Sequence, residues 1–447
     1  MKDGADLTMM SRRQFVKRSA AGLAAAGVAG PYVITSSALG AGDTPAASER
    51  IGIGLIGCGN INNGHMRAFL AENDARVVAV CDPFVQRRQA YKNVIDGTYG
   101  DTGCREYGDF RDLLDYPAVD AVCIGVPDHW HAAISIAAMK AGRDVYCEKP
   151  LARRITEGRR VVETAAAYGR ILQTGLQRRS HGRYRLACEL VRNGRIGELH
   201  TVKVGIVGIN DDIQAGRIFP VVMPPADFDY DMWLGPASVS PYCHQRVNHG
   251  TPIYWYYIND YSNGFISGNG VHFVDIAQWG IGDHVKPVEV KATHAVIPPD
   301  GLIDDIIEWR SEILYANGVR LSFSNRDNPH PSGIRFEGTA GWLHIDGGGR
   351  ITAEPAALIE SRLGPGEIHL YTSPGPHRNL LDCMRSRMPT AAPPEVGHHA
   401  TTTCDLVDLS ARVGRSITWD AAAERCVGDD QANRLLSCAY RAPWRLT

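Results

Sequence analysis

The chain has 447 residues, 44% hydrophobic and 21% charged, with 47 basic against 49 acidic side chains and a net charge of −2. This is the composition of a soluble globular protein, long enough for two domains with a large core. The near-neutral balance excludes the basic footprint of a nucleic-acid binder.

Residues 1–45 read as a leader. Ser11-Arg12-Arg13-Gln14-Phe15-Val16-Lys17 is a twin-arginine signature, and small residues over Ser36–Ala41 suit a signal peptidase. The Gly- and Ala-rich run between them is too short to span a bilayer, which takes ~20 strongly apolar residues. The expectation is export of a folded protein to the periplasm by the twin-arginine route, with no membrane insertion after cleavage.

From Ile51 to Asp82 the pattern is a complete βαβ dinucleotide-binding start. An apolar run through Ile56 predicts a buried strand, Gly57 and Gly59 a tight turn, Asn60 and Ile61 the start of a helix, and Val77–Cys81 a second strand. Gly57 allows the turn, and Gly59 has no Cβ to hold a pyrophosphate away from the free N–H groups of the helix. Asn62 stands where the third glycine of the fingerprint is expected. Asp82 is placed to accept from adenosine ribose hydroxyls and to repel a 2′-phosphate, which favours NAD over NADP; Arg87 and Arg88 soften that repulsion.

The pattern continues with a helix at Phe110–Leu114, a strand at Ala121–Ile124, a helix at His131–Ala141, a strand at Asp144–Cys147, a helix at Ile155–Tyr168 and a closing strand at Ile171–Gln173. Polar clusters follow two of these strands, Pro127-Asp128-His129-Trp130-His131 and Glu148-Lys149-Pro150, at the ends where ligands bind in open α/β sheets. Residues 46–173 thus form a Rossmann domain. Residues 174–447 form an α+β domain, in which β-branched and alternating runs at Leu199–Val207, Val288–Val296, Ile307–Tyr315, Val319–Ser324, Gly333–Glu337 and Trp342–Ile345 predict a large, mainly antiparallel open sheet. The aperiodic insertion from Asn210 to Gly264 is too aromatic for a disordered linker, and loops of that length usually serve as lids or walls.

Eleven cysteines lack close metal spacing; most read as core thiols, while Cys383, Cys404, Cys426 and Cys438 are candidates for pairing in an oxidising compartment. No metal site is expected, because His129 with His131, and His398 with His399, lack the carboxylate or cysteine partners a metal needs.

Gly57-Cys58-Gly59-Asn60, Glu148-Lys149-Pro150, Gly175-Leu176-Gln177-Arg178-Arg179 and Gly270-Val271-His272 leading into Asp275-Ile276-Ala277-Gln278-Trp279 resemble the Gfo/Idh/MocA oxidoreductase superfamily. Trp233-Leu234-Gly235-Pro236, His377-Arg378-Asn379 and Tyr440–Arg445 are similar to its secreted branch. The resemblance covers nearly all of the chain after residue 48. It implies a nicotinamide cofactor, a sugar or cyclitol substrate, and a homo-oligomer built on the open sheet face; the export leader adds the expectation that the cofactor is loaded before export and held tightly.

Within that resemblance Lys149 matches the lysine at the substrate hydroxyl, where its charge lowers the hydroxyl pKa. His272 is a candidate proton acceptor, and Asp275 leaves the same helix face three residues on. Many members carry Asp four residues before this histidine; here that position is Gly268. Pro127, His129, His131, Glu148, Lys149 and Gln177 join Gly57, Gly59, Asn60, Ile61, Asp82 and Arg87 as candidate cofactor contacts, and Arg178 and Trp255 join Lys149 and His272 as candidate substrate contacts. Gln177-Arg178-Arg179 reads equally as a solvated turn, and Trp255-Tyr256-Tyr257 as a sugar-facing wall or as core. Three functions fit: an exported NAD-dependent oxidoreductase on a sugar or glycoside, a redox-neutral glycoside-cleaving enzyme using transient oxidation, or a binding protein that keeps the nucleotide for structure.

Overall fold

The computed structural model describes residues 45–207, 213–248, 253–325 and 332–446. The twin-arginine motif, the apolar run after it and Asn210 lie outside them. Residues 1–50 and 51–447 are separate compact units. Of the first, the described part is a 3-10 turn at Ala47–Glu49 with its flanks.

The second unit begins with a parallel sheet of β1 (Ile51–Ile56), β2 (Ala75–Cys81), β3 (Arg105–Tyr107), β4 (Ala121–Ile124), β5 (Asp144–Cys147) and β6 (Leu172–Thr174), in the order β3-β2-β1-β4-β5-β6. Every residue of β1, β4 and β5 is buried, as expected of strands covered on both faces. From β1 the chain runs outward through β2 and β3, then returns to place β4 on the other side of β1. That reversal opens a crevice at the carboxyl ends of β1 and β4.

The second sheet contains β7 (Leu199–Gly205), β8 (Pro287–Val296), β9 (Glu308–Tyr315), β10 (Arg320–Ser324), β11 (Gly333–Gly338), β12 (Gly341–Asp346), β13 (Ile351–Glu354), β14 (Ile417–Asp420) and β15 (Arg425–Cys426). Among the described residues β7 and β10 are parallel and the other neighbours antiparallel. Strand β9 shows why: Trp309, Ser311, Ile313 and Tyr315 alternate into the core. The helices Gly182–Arg192, Gly270–Ile281 and Pro394–Val413 cover that face. The opposite face carries charge, with Lys203 2.9 Å from Glu337 and Arg335 lying over Trp342 at 4.0 Å.

Sequence position and spatial layer part company near the C-terminus. Leu380 and Leu381 of the helix Pro376–Ser386 pack with β1 and β2 residues, and Trp444 meets Trp130 edge-on at 4.7 Å. The polypeptide after residue 173 therefore supplies part of the first sheet's cover.

The insertion has its own small core of Phe228, Trp233, Leu234, Tyr242, Ile258 and Tyr261. Short helices at Tyr230–Leu234 and His244–Val247 and a 3-10 turn at Tyr254–Tyr257 bring its aromatic residues over the crevice. The expectation of cysteine pairing is corrected: all eleven thiols are free, and Cys383, Cys404 and Cys426 are each buried in packed surroundings.

Candidate functional site

The turn after β1 is built as a cradle. Gly57 takes φ +90°, a conformation that L side chains rarely adopt, and its missing Cβ leaves room for the carbonyl of Gly125. At Gly59 a Cβ would meet no protein atom within 4 Å. Protein packing thus makes no demand for glycine at 59, whereas a pyrophosphate approaching the helix N-terminus does. Asn62 replaces the third glycine in a different way. Fully buried, it donates from Nδ2 to the carbonyls of Ile56 at 2.9 Å and Gly57 at 2.6 Å, and its side chain fills the space left by Gly125. Helix and strand are stapled by hydrogen bonds where the fingerprint would use close glycine contact.

Asp82, at the end of β2, accepts from the amides of Cys58 and Phe84, both at 2.8 Å. Burial raises its carboxyl above the ordinary value, while Arg87 and those two amides pull it back. Gly57, Gly59, Asn60, Ile61, Asp82 and Arg87 all border one cavity of about 370 Å³. Pro127, Asp128, His131, Glu148 and Lys149 border it from the other side of the crevice, and Met232, Trp233, Val247, Ile253, Trp255 and Tyr256 enclose it from the insertion. The cradle, the acid at the end of β2 and an apolar wall fit a dinucleotide.

Lys149 lies at the junction of these groups. Its Nζ donates to the Tyr256 hydroxyl at 3.0 Å and to the carbonyl of Gly268 at 2.8 Å. Burial disfavours the ammonium, but Tyr256 and Glu148 outweigh it and hold the lysine above its ordinary pKa. Burial likewise raises Tyr256, with Lys149 pulling the other way. The resting pair is a cationic lysine and a neutral phenol on the cavity lining.

Other candidates have structural partners. Asp128 accepts from Ser262 Oγ at 2.6 Å, and His131 sets its ring nitrogens 2.6 and 2.9 Å from the carbonyls of Pro150 and Val126. His129 is turned from the cavity toward the Trp233 carbonyl at 3.2 Å, and burial lowers its pKa to about 3. Gln177 reaches Glu148 rather than the cavity, donating to Oε1 at 2.6 Å. Arg178 donates to the Gly347 carbonyl at 2.9 Å and lies over Phe273, so it is occupied in the second sheet's core.

His272 and Asp275 share a helix but not a site. Asp275, 1% exposed, is held by Arg179 Nε at 2.9 and 3.0 Å, and the same guanidinium reaches Asp283. That fixes Asp275 as an ion-pair partner away from the cavity lining. His272 is half-buried with an unpartnered Nδ1; burial and then the Lys149 charge lower it to about 3. It is a neutral ring near enough to feel the charges of Lys149 and Glu148, though not itself among the residues that line the cavity. The group that stands at Lys149 is Tyr256, which sequence reasoning left between wall and core. Its only sequence signal is the glycine at 268, whose space the Tyr256 ring occupies. His65, bonded to Glu148, carried no sequence signal at all. Among the described residues no group of three or more His, Cys, Asp or Glu could hold a metal ion; His398 pairs with Glu424 at 2.7 Å and His399 lies 3.1 Å from Gln278.

Residues 51–176 match the family model described as oxidoreductase family, NAD-binding Rossmann fold, and residues 190–446 match the oxidoreductase family C-terminal alpha/beta domain. An inositol 2-dehydrogenase of Azotobacter vinelandii is 35% identical over 150 residues, 33% of this chain and 43% of that protein. One from Salmonella paratyphi B is 33% identical over 149 residues, 32% of this chain and 42% of that protein. The match thus spans under half the length of these two relatives. Among solved structures, the WlbA dehydrogenase of Bordetella pertussis, in complex with NADH and UDP-GlcNAcA, superposes with a TM-score of 0.61 at 20% identity, covering 83% of this chain and 99% of that one. An aldose-aldose oxidoreductase of Caulobacter crescentus gives 0.58 at 20% identity, covering 83% and 99%. At that identity the likeness is one of fold.

Proposed function

Since the chain belongs to the Gfo/Idh/MocA oxidoreductase family, we propose that it is an exported enzyme that oxidises and reduces a sugar or glycoside hydroxyl against a tightly held NAD. The observation that carries this reading is the Lys149–Tyr256 pair on the wall of the enclosed cavity, within the same lining as the dinucleotide cradle. The inositol and nucleotide sugar named for relatives support a polyhydroxylated ring as substrate.

NAD bound there would supply the hydride acceptor. Gly57, Gly59 and the helix N-terminus would hold its pyrophosphate and Asp82 its adenosine ribose, where like charge disfavours a 2′-phosphate. In carbonyl reduction the Tyr256 hydroxyl donates its proton to the developing alkoxide, and Lys149 stabilises the phenolate that remains. Oxidation runs the same steps backwards, with the phenolate as base. Trp255 offers an aromatic face to the sugar ring.

The apolar enclosure by Met232, Trp233, Val247, Ile253 and Trp255 favours a cofactor that stays bound. Retention suits an enzyme folded in the cytoplasm and exported by the twin-arginine leader to a compartment without a comparable NAD pool. It also supports the redox-neutral reading, in which the substrate's own keto intermediate reoxidises the cofactor after cleavage. The charged outer face of the second sheet is the surface for a homo-oligomer. The test is a panel of sugars and glycosides added to protein purified without nucleotide, followed at the reduced-nicotinamide absorbance band. Absorbance change without glycoside release supports the oxidoreductase, and release without net change supports the redox-neutral enzyme. Silence in both channels leaves a nucleotide-retaining binding protein.

A further inference from the structure

Glu148 borders the cavity and is 3% exposed. Its Oε1 lies 3.1 Å from His65 Nε2, and His65 Nδ1 lies 2.7 Å from His377 Nε2. His65 is buried, whereas His377, in the first turn of the helix Pro376–Ser386, is half-buried at the molecular surface. Three titratable groups therefore join the cavity to the molecular surface by consecutive hydrogen bonds. Their geometry is locked from several sides. Gln177 donates to Glu148 Oε1 and the Lys149 amide to Oε2, Tyr146 stacks on His377 with centroids 5.5 Å apart, and Phe69 meets the same ring edge-on at 4.9 Å.

Resting on the oxidoreductase reading above, we propose that Glu148, His65 and His377 are a proton path between the cavity and solvent. Oxidation of a secondary alcohol sends a hydride to the nicotinamide and leaves one proton in the cavity. That proton passes from the hydroxyl to the Tyr256 oxygen and reaches the Glu148 carboxylate across the cavity both residues border. Glu148 then gives it to His65 Nε2, His65 releases its Nδ1 proton to His377 Nε2, and His377 releases one from Nδ1 to solvent. One proton enters and one leaves; each ring changes tautomer and returns to its starting tautomer before the next turnover. Burial works against the charge on Glu148, but the His65 hydrogen bond, then the charges of Lys149 and His272, hold it at about 2. Burial, then His65, lowers His377 to about 4. Neither group holds the proton at neutral pH, so both are transient carriers. His65 and His377 are positioning and relay residues that touch no substrate.

The test uses the full chain with its nucleotide. His65→Gln and His377→Gln keep hydrogen-bonding amides but cannot titrate. In a stopped-flow single turnover with an indicator dye, the wild-type protein releases its proton together with the rise of reduced nicotinamide. In either variant proton release lags by at least about tenfold, and added imidazole restores it. Synchronous release in both variants overturns the proposal. A second readout needs no substrate: the ring N–H of His65, followed by ¹⁵N NMR, exchanges with solvent about tenfold more slowly in His377→Gln than in wild type. Unchanged exchange also overturns the path. If no sugar reduces the nicotinamide of the wild-type protein, the oxidoreductase reading falls, while the exchange rates still decide whether the path conducts.

Discussion

The ring of Tyr256 fills the space that a side chain at Gly268 would need, and these same two residues hold the Lys149 ammonium, one by its phenol and the other by its carbonyl. A Cβ at 268 would overlap Tyr256 Cε1. The tyrosine ring and a side chain at 268 are thus mutually exclusive occupants of one place.

The first prediction follows from that exclusion. Gly268→Asp displaces the Tyr256 ring, so it lowers both the melting temperature and turnover rather than restoring a second acid. Combined with Tyr256→Ala it regains the missing space, and the double variant is less destabilised than the sum of the single ones. Thermal melts of all four proteins check this; additive losses would show that the two positions do not compete.

Lys149→Ala and Tyr256→Phe each lower turnover by about 10²–10⁴ while leaving nucleotide content intact, the usual range for a lost proton-transfer group. The pH profile separates their roles. Because burial raises the Tyr256 phenol above its ordinary value, the phenolate fraction is small at neutral pH and grows about tenfold per unit below that pKa. Sugar oxidation in the wild-type protein therefore accelerates with rising pH, and Tyr256→Phe loses that slope. A wild-type profile flat from pH 7 to 9 would assign the base elsewhere.

Gly59→Val removes the nucleotide without harming the fold. Its Cβ enters space that no protein atom occupies within 4 Å, so the protein melts as the wild-type apo form does while nucleotide binding falls below detection. A variant that binds normally would place the pyrophosphate elsewhere.

Asp275→Ala acts on stability. Arg179 is 4% exposed and loses its deeply buried partner, keeping only the more exposed Asp283. Leaving a buried charge uncompensated costs about 3–5 kcal/mol. Denaturant unfolding should show that loss, while turnover at a temperature where the variant is folded stays near wild type. Normal stability with abolished turnover would return Asp275 to the reaction.

The elements legible in the sequence were those with a clean period. Buried strands β1 and β4 read as apolar runs and β5 as a short apolar run behind Asp144, and the two-residue alternation of β9 placed it within one residue of its observed start. The short β3, β14 and β15 carry too few residues to show a period. At the site, Gly57, Gly59, Asp82 and Lys149 were legible because local turn and strand-end chemistry constrains them. Tyr256 was not, because a partner 107 residues away sits in an aperiodic loop whose placement depends on the packing of Phe228, Trp233 and Tyr261. His272 and Asp275 show the converse: helical spacing correctly put them on one element, but neighbouring Arg179 decided what Asp275 does.

The most direct measurement is isotope transfer. Protein purified without added nucleotide is incubated with a responsive sugar deuterated at its ring C–H positions, denatured, and the released nucleotide is weighed by mass spectrometry. The account predicts stoichiometric NAD that gains one deuterium at the nicotinamide ring in the wild-type protein and far less in Tyr256→Phe. Protein that carries no NAD and binds none when it is supplied, or bound NAD that never acquires deuterium from any sugar of the panel, would contradict it.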